Sequence, residues 1–199
     1  MSKSIYIYGA SGHGLVVADI ARACGYTHIL FIDDGANEYP TFEDIKKSND
    51  IPIAFGIGSN SIRAKLFERV QNTEFQIISL IHPSSIISSS AIIGNGTVIM
   101  PNVVVNAKAT IGEGVILNSS CVVEHECIID DFAHLSPNVA LAGDVKVGKY
   151  THIGIASNVI QGIIIGTNTV IGAGSTVVKN IENFKKAYGN PCREIEDIK

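Results

Sequence analysis

The chain has 199 residues, of which 46% are hydrophobic and 17% charged, so it has enough apolar material for a packed core and too little charge for a disordered protein. Its net charge of −4 gives a nucleic-acid partner no electrostatic support, so local basic residues and backbone N–H groups would have to hold an anionic ligand. The four cysteines match neither a zinc pattern nor a disulfide pattern, and no apolar stretch is long enough to span a bilayer, so we expect a protein of the reducing cytoplasm.

The first eighty residues alternate between short apolar runs and helical patterns. The apolar runs predict strands over 5–8, 29–32, 52–57 and 75–80, and the helical patterns predict helices over 12–24 and from about 60 to 70. Alternating β and α elements indicate a small, Rossmann-like parallel sheet, which we assign to a domain over 1–80. A ligand is expected at the carboxyl ends of its strands.

Polar or glycine-rich loops follow three of these predicted strands. Glycines let the backbone approach a ligand, a helix N-terminus favours phosphate, and an acid after the second strand suits a ribose or a base. An ordinary set of βα turns is the alternative. The candidate residues for a pocket that holds phosphate and a ribose or base are Gly12, His13, Asp33, Asp34, Gly58, Ser59 and Asn60.

From Ile81 the sequence repeats every six residues. Each of the seventeen sixth positions from Ile81 to Val177 is Ile, Val or Leu, and the residue four places later is nearly always small or β-branched. A strict period of six is typical of a parallel β-helix, in which three short faces make a coil of eighteen residues and both phased positions point inward. We therefore expect about five coils within a second domain over 81–199.

Several motifs resemble those of the hexapeptide acyltransferases. The repeats IGNGT (93–97), IGEGV (111–115) and IGAGS (171–175) resemble the family repeat, and GNPCR (189–193) resembles its terminal motif, with Cys192 where Ala is common. The segments IYIYGASGHG (5–14) and NSSCVVEHEC (118–127) are similar to the nucleotide-sugar N-acetyltransferases of bacillosamine synthesis, whose relatives act on GDP-perosamine or in sialic-acid pathways.

This resemblance implies a left-handed parallel β-helix, a homotrimer with its active sites between subunits, and a role in glycan synthesis. It implies acetyl-CoA as the donor. The implied acceptor is the 4-amino group of a nucleotide-linked amino-deoxy sugar, most closely a UDP-4-amino-4,6-dideoxy-N-acetylglucosamine type. The residues themselves do not distinguish UDP from GDP.

The triplet Glu124-His125-Glu126 is the candidate catalytic centre. Residues eighteen apart stack in a β-helix, so His125 should lie against Gly143, which leaves a pocket beside the imidazole and a free N–H for a thioester oxygen. A carboxylate from Glu126 would fix the imidazole tautomer while the other ring nitrogen accepts a proton as general base. A solvated corner is the alternative for such a triplet.

Two further histidines, His134 and His152, are also eighteen apart and should stack. We expect His134 to contact substrate or acetyl-CoA, and His152 to be a surface histidine. Asn118 either orients substrate or forms a structural asparagine ladder. No metal is expected, because the trimeric β-helix carbonic anhydrases use three histidines, with a His-x₄-His pair that this chain lacks.

The implied donor site draws on several parts of the β-helix. Lys179 and Arg193 could meet coenzyme A phosphates, although a basic tail on a soluble protein is an equal alternative. Cys121 and Cys127 take the inward small position and are expected to be packed core thiols. The candidate cofactor-binding residues are His134, Gly143, Ile155, Ala173, Lys179 and Arg193.

Two other functions stay open at this point. The same histidine could activate a hydroxyl, which would make the protein an O-acetyltransferase acting on a sialic-acid-like sugar. A β-helix could also serve as a non-catalytic scaffold that binds sugar nucleotides. The histidine triplet beside a stacked glycine argues against the scaffold.

Overall fold

The computed structural model describes residues 3–45 and 50–198. Its N-terminal region is a three-stranded parallel sheet with the order β2-β1-β3. All three strands therefore end at the same edge. The elements are β1 (Ser4–Tyr8), α1 (Gly12–Ala23), β2 (His28–Ile32), α2 (Phe42–Ile45), β3 (Ile53–Phe55) and α3 (Asn60–Gln71).

This sheet confirms three of the four expected strands and both expected helices. The fourth, over 75–80, is wrong, because only Ile77 forms a single bridge to Ile53 before the chain leaves the sheet. Leu80 N–H already donates to the Thr97 carbonyl oxygen, so the segment crosses into the second region instead of completing a strand. The short helix α2 has no counterpart among the expected elements.

The second region is a parallel β-helix with three flat faces. Its docking face, named for the domain that lies on it, comprises β4 (Leu80–Ile81), β7 (Val98–Ile99), β10 (Ile116–Leu117), β13 (His134–Leu135), β16 (His152–Ile153) and β19 (Val170–Ile171). The second face comprises β5 (Ile86–Ile87), β8 (Val104–Val105), β11 (Val122–Val123), β14 (Ala140–Leu141), β17 (Asn158–Val159) and β20 (Thr176–Val177). The third comprises β6 (Ile92–Ile93), β9 (Thr110–Ile111), β12 (Ile128–Ile129), β15 (Lys146–Val147) and β18 (Ile164–Ile165).

The hexapeptide positions fill the interior of this prism, as the sequence predicts. Every sixth residue from Ile99 to Val177 is buried, and so is the small or β-branched residue of each repeat from Thr97 onward. Only the first coil is open, with Ile81 36% exposed. Pairing extends over slightly less than six coils, a little more than the expected five. An antiparallel hairpin of β21 (Lys185–Gly189) and β22 (Cys192–Asp197) closes the far end.

The N-terminal region lies on the docking face. Helix α1 packs Val17, Ile20 and Ala21 in one cluster with the outward residues Leu80, Val98 and Ile116 of the first three coils. These aliphatic side chains would otherwise be exposed, so burying them fixes the two regions against each other. No helix in the described part of the chain is both long enough and apolar enough to cross a bilayer.

Candidate active site

A cavity of about 190 Å³ opens at the carboxyl edge of the parallel sheet. Helix α1 can begin close to this edge because Gly14 has no side chain, since a Cβ there would lie 2.0 Å from the Gly9 carbonyl oxygen. The N-cap residue Ser11 makes no side-chain capping bond, and nothing lies within 4 Å of the Cβ position of Gly12. The lining residues are Tyr8, Gly9, Asp33, Asp34, Gly35, Ile57, Ile62 and Leu66.

Both aspartates of this cavity, Asp33 and Asp34, already accept hydrogen bonds from residues around it. Asp33 accepts hydrogen bonds from the N–H groups of Ala10 (2.9 Å) and Gly35 (2.8 Å), and so ties two loops together. Asp34 accepts from the Tyr8 hydroxyl and Arg69, each at 2.5 Å. Burial opposes ionisation of Asp34, but these bonds outweigh it and lower the pKa. A direct contact from either aspartate to a ribose or base stays a prediction.

Three histidines, His13, His134 and His152, form a cluster where the N-terminal region meets the docking face. The His134 and His152 rings stack in parallel with centroids 4.7 Å apart, and His13 lies 6.3 Å from His134. Ser136 Oγ and His152 Nε2 are 2.8 Å apart. The expected stacking is confirmed, but His152 is partly buried and not a surface histidine, because its ring is covered by this stack.

Hydrogen bonds select one tautomer of His134. Asn118 Oδ1 accepts from Ser119 N–H at 2.9 Å, so its amide nitrogen faces His134 Nε2 at 3.3 Å and donates to it. The ring proton therefore belongs on Nδ1, and His134 also bonds to the Gly58 backbone. Asn118, His134 and Gly58, all candidate site residues, thus form one chain of contacts.

The buried environment keeps this cluster neutral. Burial and the Arg63 charge lower the pKa of His13 to about 4. Burial, with the charges of His152, Arg63 and His13, lowers the pKa of His134 to about 3. Burial and Arg63 also lower the pKa of His152. Within the described residues, the buried Nε2 atom of His13 has no hydrogen-bond partner, which leaves it for a ligand to satisfy.

The His125 corner, Glu124 to Glu126, lies between the second and third faces. Its imidazole is exposed, and Nδ1 lies 3.2 Å from Glu126 Oε2. The residue after it, Glu126, has a φ of 61°, the left-handed conformation that turns the corner sharply. Glu124 instead accepts from the His125 backbone N–H at 3.3 Å, so only one of the two carboxylates contacts the ring.

Gly143 forms the floor under this imidazole. A Cβ at Gly143 would lie 2.5 Å from His125 Cε1 and 2.6 Å from Nε2, which confirms that these two residues stack one coil apart. The Gly143 N–H donates to no other described residue. A proton acceptor and a free backbone donor therefore lie side by side on an open corner.

The two histidine regions occupy opposite sides of the prism. The His125 corner joins the second and third faces, whereas the His13–His134–His152 cluster lies on the outward side of the docking face. One chain therefore brings together His13, Gly58, Asn118 and His134, and separately brings together His125, Glu126 and Gly143. It does not bring the two groups together.

The remaining candidate residues are scattered along the β-helix. Ile155 and Ala173 are exposed at stacked positions of the corner between the docking and second faces, and their N–H groups donate to no other described residue. Lys179 and Arg193 are exposed near the closed end. Ser59 is exposed just before α3, while Asn60 donates to the Tyr150 carbonyl oxygen at 2.9 Å and so serves the contact between the regions.

The cysteine thiols of the β-helix interior are packed. Burial raises the pKa of the Cys121 thiol to about 12, and Cys121 Sγ donates to the Ser136 carbonyl oxygen at 3.1 Å. Burial likewise raises the pKa of Cys127. Neither is placed to act as a nucleophile. Among the described residues, no three His, Cys, Asp or Glu side chains lie close enough to share a metal ion.

Sequence reasoning missed two features of the site, Arg63 and the contact between Tyr8 and Arg69. Arg63 is completely buried and bonds to both the N-terminal loop and the β-helix. Its acceptors are mostly backbone carbonyl oxygens, and every residue has one, so the residue types do not show which of them Arg63 will contact. The Tyr8–Arg69 contact could have been anticipated in part, because Tyr8 ends the first strand and so places a hydroxyl at the carboxyl edge of the sheet, where a ligand is expected.

Comparison with known families and structures gives matches to both regions. Residues 4–70 match the family described as PglD N-terminal domain, and residues 90–125 match the family described as bacterial transferase hexapeptide (six repeats). The chain is similar to a histidine-to-alanine variant of GDP-perosamine N-acetyl transferase from Caulobacter crescentus in complex with CoA and GDP-perosamine. That match has 31% identity and a TM-score of 0.93, and covers 98% of this chain and 97% of that one.

Two other relatives complete this picture. The acetyltransferase domain of PglB from Neisseria gonorrhoeae FA1090, in complex with acetyl coenzyme A, is 34% identical with a TM-score of 0.91, over 98% of this chain and 100% of that one. UDP-N-acetylbacillosamine N-acetyltransferase from Bacillus subtilis (strain 168) is 37% identical over an alignment of 113 residues, and the match covers 49% of this chain. This last match spans only about half, 51%, of the Bacillus subtilis protein.

Proposed function

The chain belongs to the family of hexapeptide-repeat sugar N-acetyltransferases with a PglD-type N-terminal domain, and on that premise we propose that it transfers acetyl from acetyl-CoA to the amine of a nucleotide-linked sugar. The observation that carries this proposal is the His125 corner. There, an exposed imidazole with a carboxylate at 3.2 Å lies over Gly143, whose N–H donates to none of the residues that the structure describes. An amine attacking a thioester needs both a proton acceptor and an oxyanion donor.

The corner supplies these groups as follows. Glu126 accepts from Nδ1–H of His125, which leaves Nε2 unprotonated and facing the space above Gly143. His125 Nε2 removes a proton from the sugar amine as its nitrogen forms a bond to the acetyl carbon. Gly143 N–H donates to the carbonyl oxygen while that oxygen carries negative charge. The C–S bond then breaks, and the imidazolium returns its proton to the leaving thiolate.

The acceptor pocket belongs to the N-terminal region in this proposal. The base and ribose occupy the cavity beside Asp33 and Asp34, and the diphosphate lies at the uncapped N-terminus of α1, near Gly12. The sugar then extends towards the unpartnered Nε2 of His13 and the chain formed by Gly58, His134 and Asn118. Neutral imidazoles suit this position, because they bind hydroxyl groups without repelling an ammonium.

The donor occupies the outside of the β-helix. Stacked strands are about 4.8 Å apart, so the free N–H groups of Ile155 and Ala173 form a short row of donors for the amide carbonyls of a pantetheine arm. The exposed side chains of Lys179 and Arg193 lie further along, where they would meet phosphates. His134 and Gly143 complete the proposed set of donor contacts.

A complete site then needs two subunits. One chain cannot present His125 to its own acceptor pocket, because the two lie on opposite sides of the prism. A cyclic homotrimer brings the His125 corner of one subunit against the His13–His134–His152 cluster of its neighbour and repeats this contact three times. This geometry is the main physical support for the proposed trimer.

The acceptor is proposed to be a 4-amino sugar, of the UDP-4-amino-4,6-dideoxy-N-acetylglucosamine type. The deciding experiment is a thiol-release assay with acetyl-CoA and a panel of UDP- and GDP-linked 4-amino sugars and their 4-hydroxy counterparts. The amino sugars should be turned over, with the product acetylated at nitrogen. Turnover of the hydroxyl compounds, or of a sialic-acid-like sugar, would identify an O-acetyltransferase. Binding without turnover would identify a scaffold.

A further inference from the structure

Arg63 is a charged side chain that the proposed chemistry does not use. It lies in the first turn of α3 and is 0% exposed. Burial lowers the pKa of its guanidinium to about 9, so it stays charged at neutral pH. In the described part of the chain no carboxylate lies within ion-pair distance of it. A buried cation without a counter-ion is costly and persists only where its hydrogen bonds are satisfied.

The hydrogen bonds of Arg63 reach both regions of the molecule. Towards the N-terminal region, Nη1 donates to the carbonyl oxygens of Ile57 at 3.0 Å and Gly58 at 3.2 Å. Towards the β-helix, Nε donates to the Gly114 carbonyl oxygen at 2.6 Å and Nη2 donates to that of Phe132 at 2.9 Å. Arg63 also fixes Asn60, whose Oδ1 accepts from Nη2 at 2.9 Å.

These contacts meet the proposed site at Gly58. The Gly58 backbone bonds to both Arg63 and His134. Residues 57–60 belong to the proposed acceptor pocket, whereas Phe132 and Ala133 directly precede His134 on the β-helix. The planar guanidinium therefore fixes the distance between residues 57–60 and His134. No other amino-acid side chain has five N–H donors in a rigid plane.

We infer that Arg63 is a positioning residue, which holds the loop 57–60 in register with His134 so that a bound sugar amine lines up with the thioester. This inference rests on the proposed acetyl transfer. Arg63 touches neither substrate in this account. Its loss should therefore leave the separate binding of the two substrates intact and reduce their productive alignment.

The test uses Arg63→Met, which removes the donors, and Arg63→Lys, which keeps the charge but cannot span both regions. Val70→Ala is the matched control, because Val70 is buried on the same helix in an apolar cluster that includes none of residues 57–60. We expect Arg63→Met to lower kcat about 10²-fold and Arg63→Lys about tenfold, since a misplacement of about 1 Å costs about 10²-fold in rate. The Kd values for UDP or GDP alone and for CoA should stay within about threefold.

A second measurement does not depend on turnover. Amide hydrogen exchange at residues 63 and 64, whose N–H groups bond back to residues 59 and 60, should be about tenfold faster in both Arg63 variants, with the loop 9–12 unchanged. Val70→Ala should lower Tm while leaving kcat and exchange at residues 63 and 64 near wild type. If Arg63→Met does not fold, Arg63→Lys decides the question.

Wild-type kcat and wild-type exchange in a folded Arg63 variant would overturn the inference. Kd values that rise in proportion to the loss of kcat would also overturn it, because they would indicate general loss of structure. If the wild-type protein turns over no sugar nucleotide, the proposed function fails instead. The exchange rates then still show whether Arg63 holds the loop.

Discussion

The two histidine regions of this molecule differ in exposure and in the charged groups that surround them. His125 is exposed, stands on an open corner and has a carboxylate at 3.2 Å. His13 and His134 are largely buried, are faced by Arg63 and by each other, and have strongly lowered pKa values. The first environment leaves an imidazole open to a reacting group, whereas the second favours neutral rings that donate and accept hydrogen bonds. The same residue type therefore lies in two different environments, set by burial and by neighbouring charge.

Removing the exposed imidazole should have the largest effect. We expect His125→Ala to lower kcat by roughly 10²–10⁴, the usual contribution of a general base, with little change in the KM for acetyl-CoA. The side chain is outside the apolar core, so folding should survive. His28→Ala, at another exposed histidine, is the control for a thiol-release assay. Near-normal turnover by His125→Ala would show that His125 is not the base. His134, in the other region, would then be the next candidate.

Gly143→Ala sharpens the same comparison without touching the histidine. Its Cβ would lie 2.5 Å from His125 Cε1, so the ring must move away from its position over the free N–H. A loss of about 10²-fold in kcat is expected, because a displacement of about 1 Å disrupts a reacting geometry. Tm and the oligomeric state should change little. An alanine variant with wild-type kcat would show that the imidazole does not act from this position.

The buried pair should appear in the pH dependence of stability. His13 and His134 have lower pKa values in the folded chain than the ordinary 6.5, so the unfolded chain binds more protons below that pH. Stability is therefore full above about pH 6.5 and is lost as the pH falls towards 4. Each of the two should remove about 1.4 kcal/mol of unfolding free energy per pH unit.

Urea unfolding between pH 7 and pH 4.5 measures this loss. Arg63 and His152 also face the pair, and both stay in place in the variants compared. His134→Asn should reduce the slope of stability against pH, whereas His125→Ala should keep the wild-type slope. Equal slopes in the wild type and His134→Asn would contradict the assignment of His134 as a buried neutral ring.

The carboxylates beside His125 give the smallest expected effect. Glu126→Gln should lower kcat roughly tenfold, less than loss of the base itself, because Glu126 only orients and polarises the ring. Glu124→Gln is the natural control, since Glu124 contacts the backbone N–H of His125 and not its ring. It should stay within about twofold of wild type. A larger loss for Glu124→Gln than for Glu126→Gln would show that the contact between His125 and Glu126 is not the one that supports turnover.

Much of this fold follows from one-dimensional patterns. The period of six places the core residues from Ile99 to Val177, and the spacing of eighteen places His125 over Gly143 and His134 beside His152. The strand expected over 75–80 failed because tertiary pairing with Val98 competes with the sheet, and a local apolar pattern does not reveal which partner wins. Arg63 was invisible for a related reason, since its carbonyl partners lie up to 70 residues away.

The central claim is that His125 of one subunit serves the acceptor pocket of its neighbour. Co-expressing His125→Ala with the double variant Asp33→Ala/Asp34→Ala, each with its own tag, allows trimers containing both chains to be purified by two tags. In any such trimer of cyclic symmetry, one of three sites combines an intact corner with an intact pocket, so about one third of wild-type turnover is expected at low sugar-nucleotide concentration. Turnover no higher than that of the two parent variants would contradict the account.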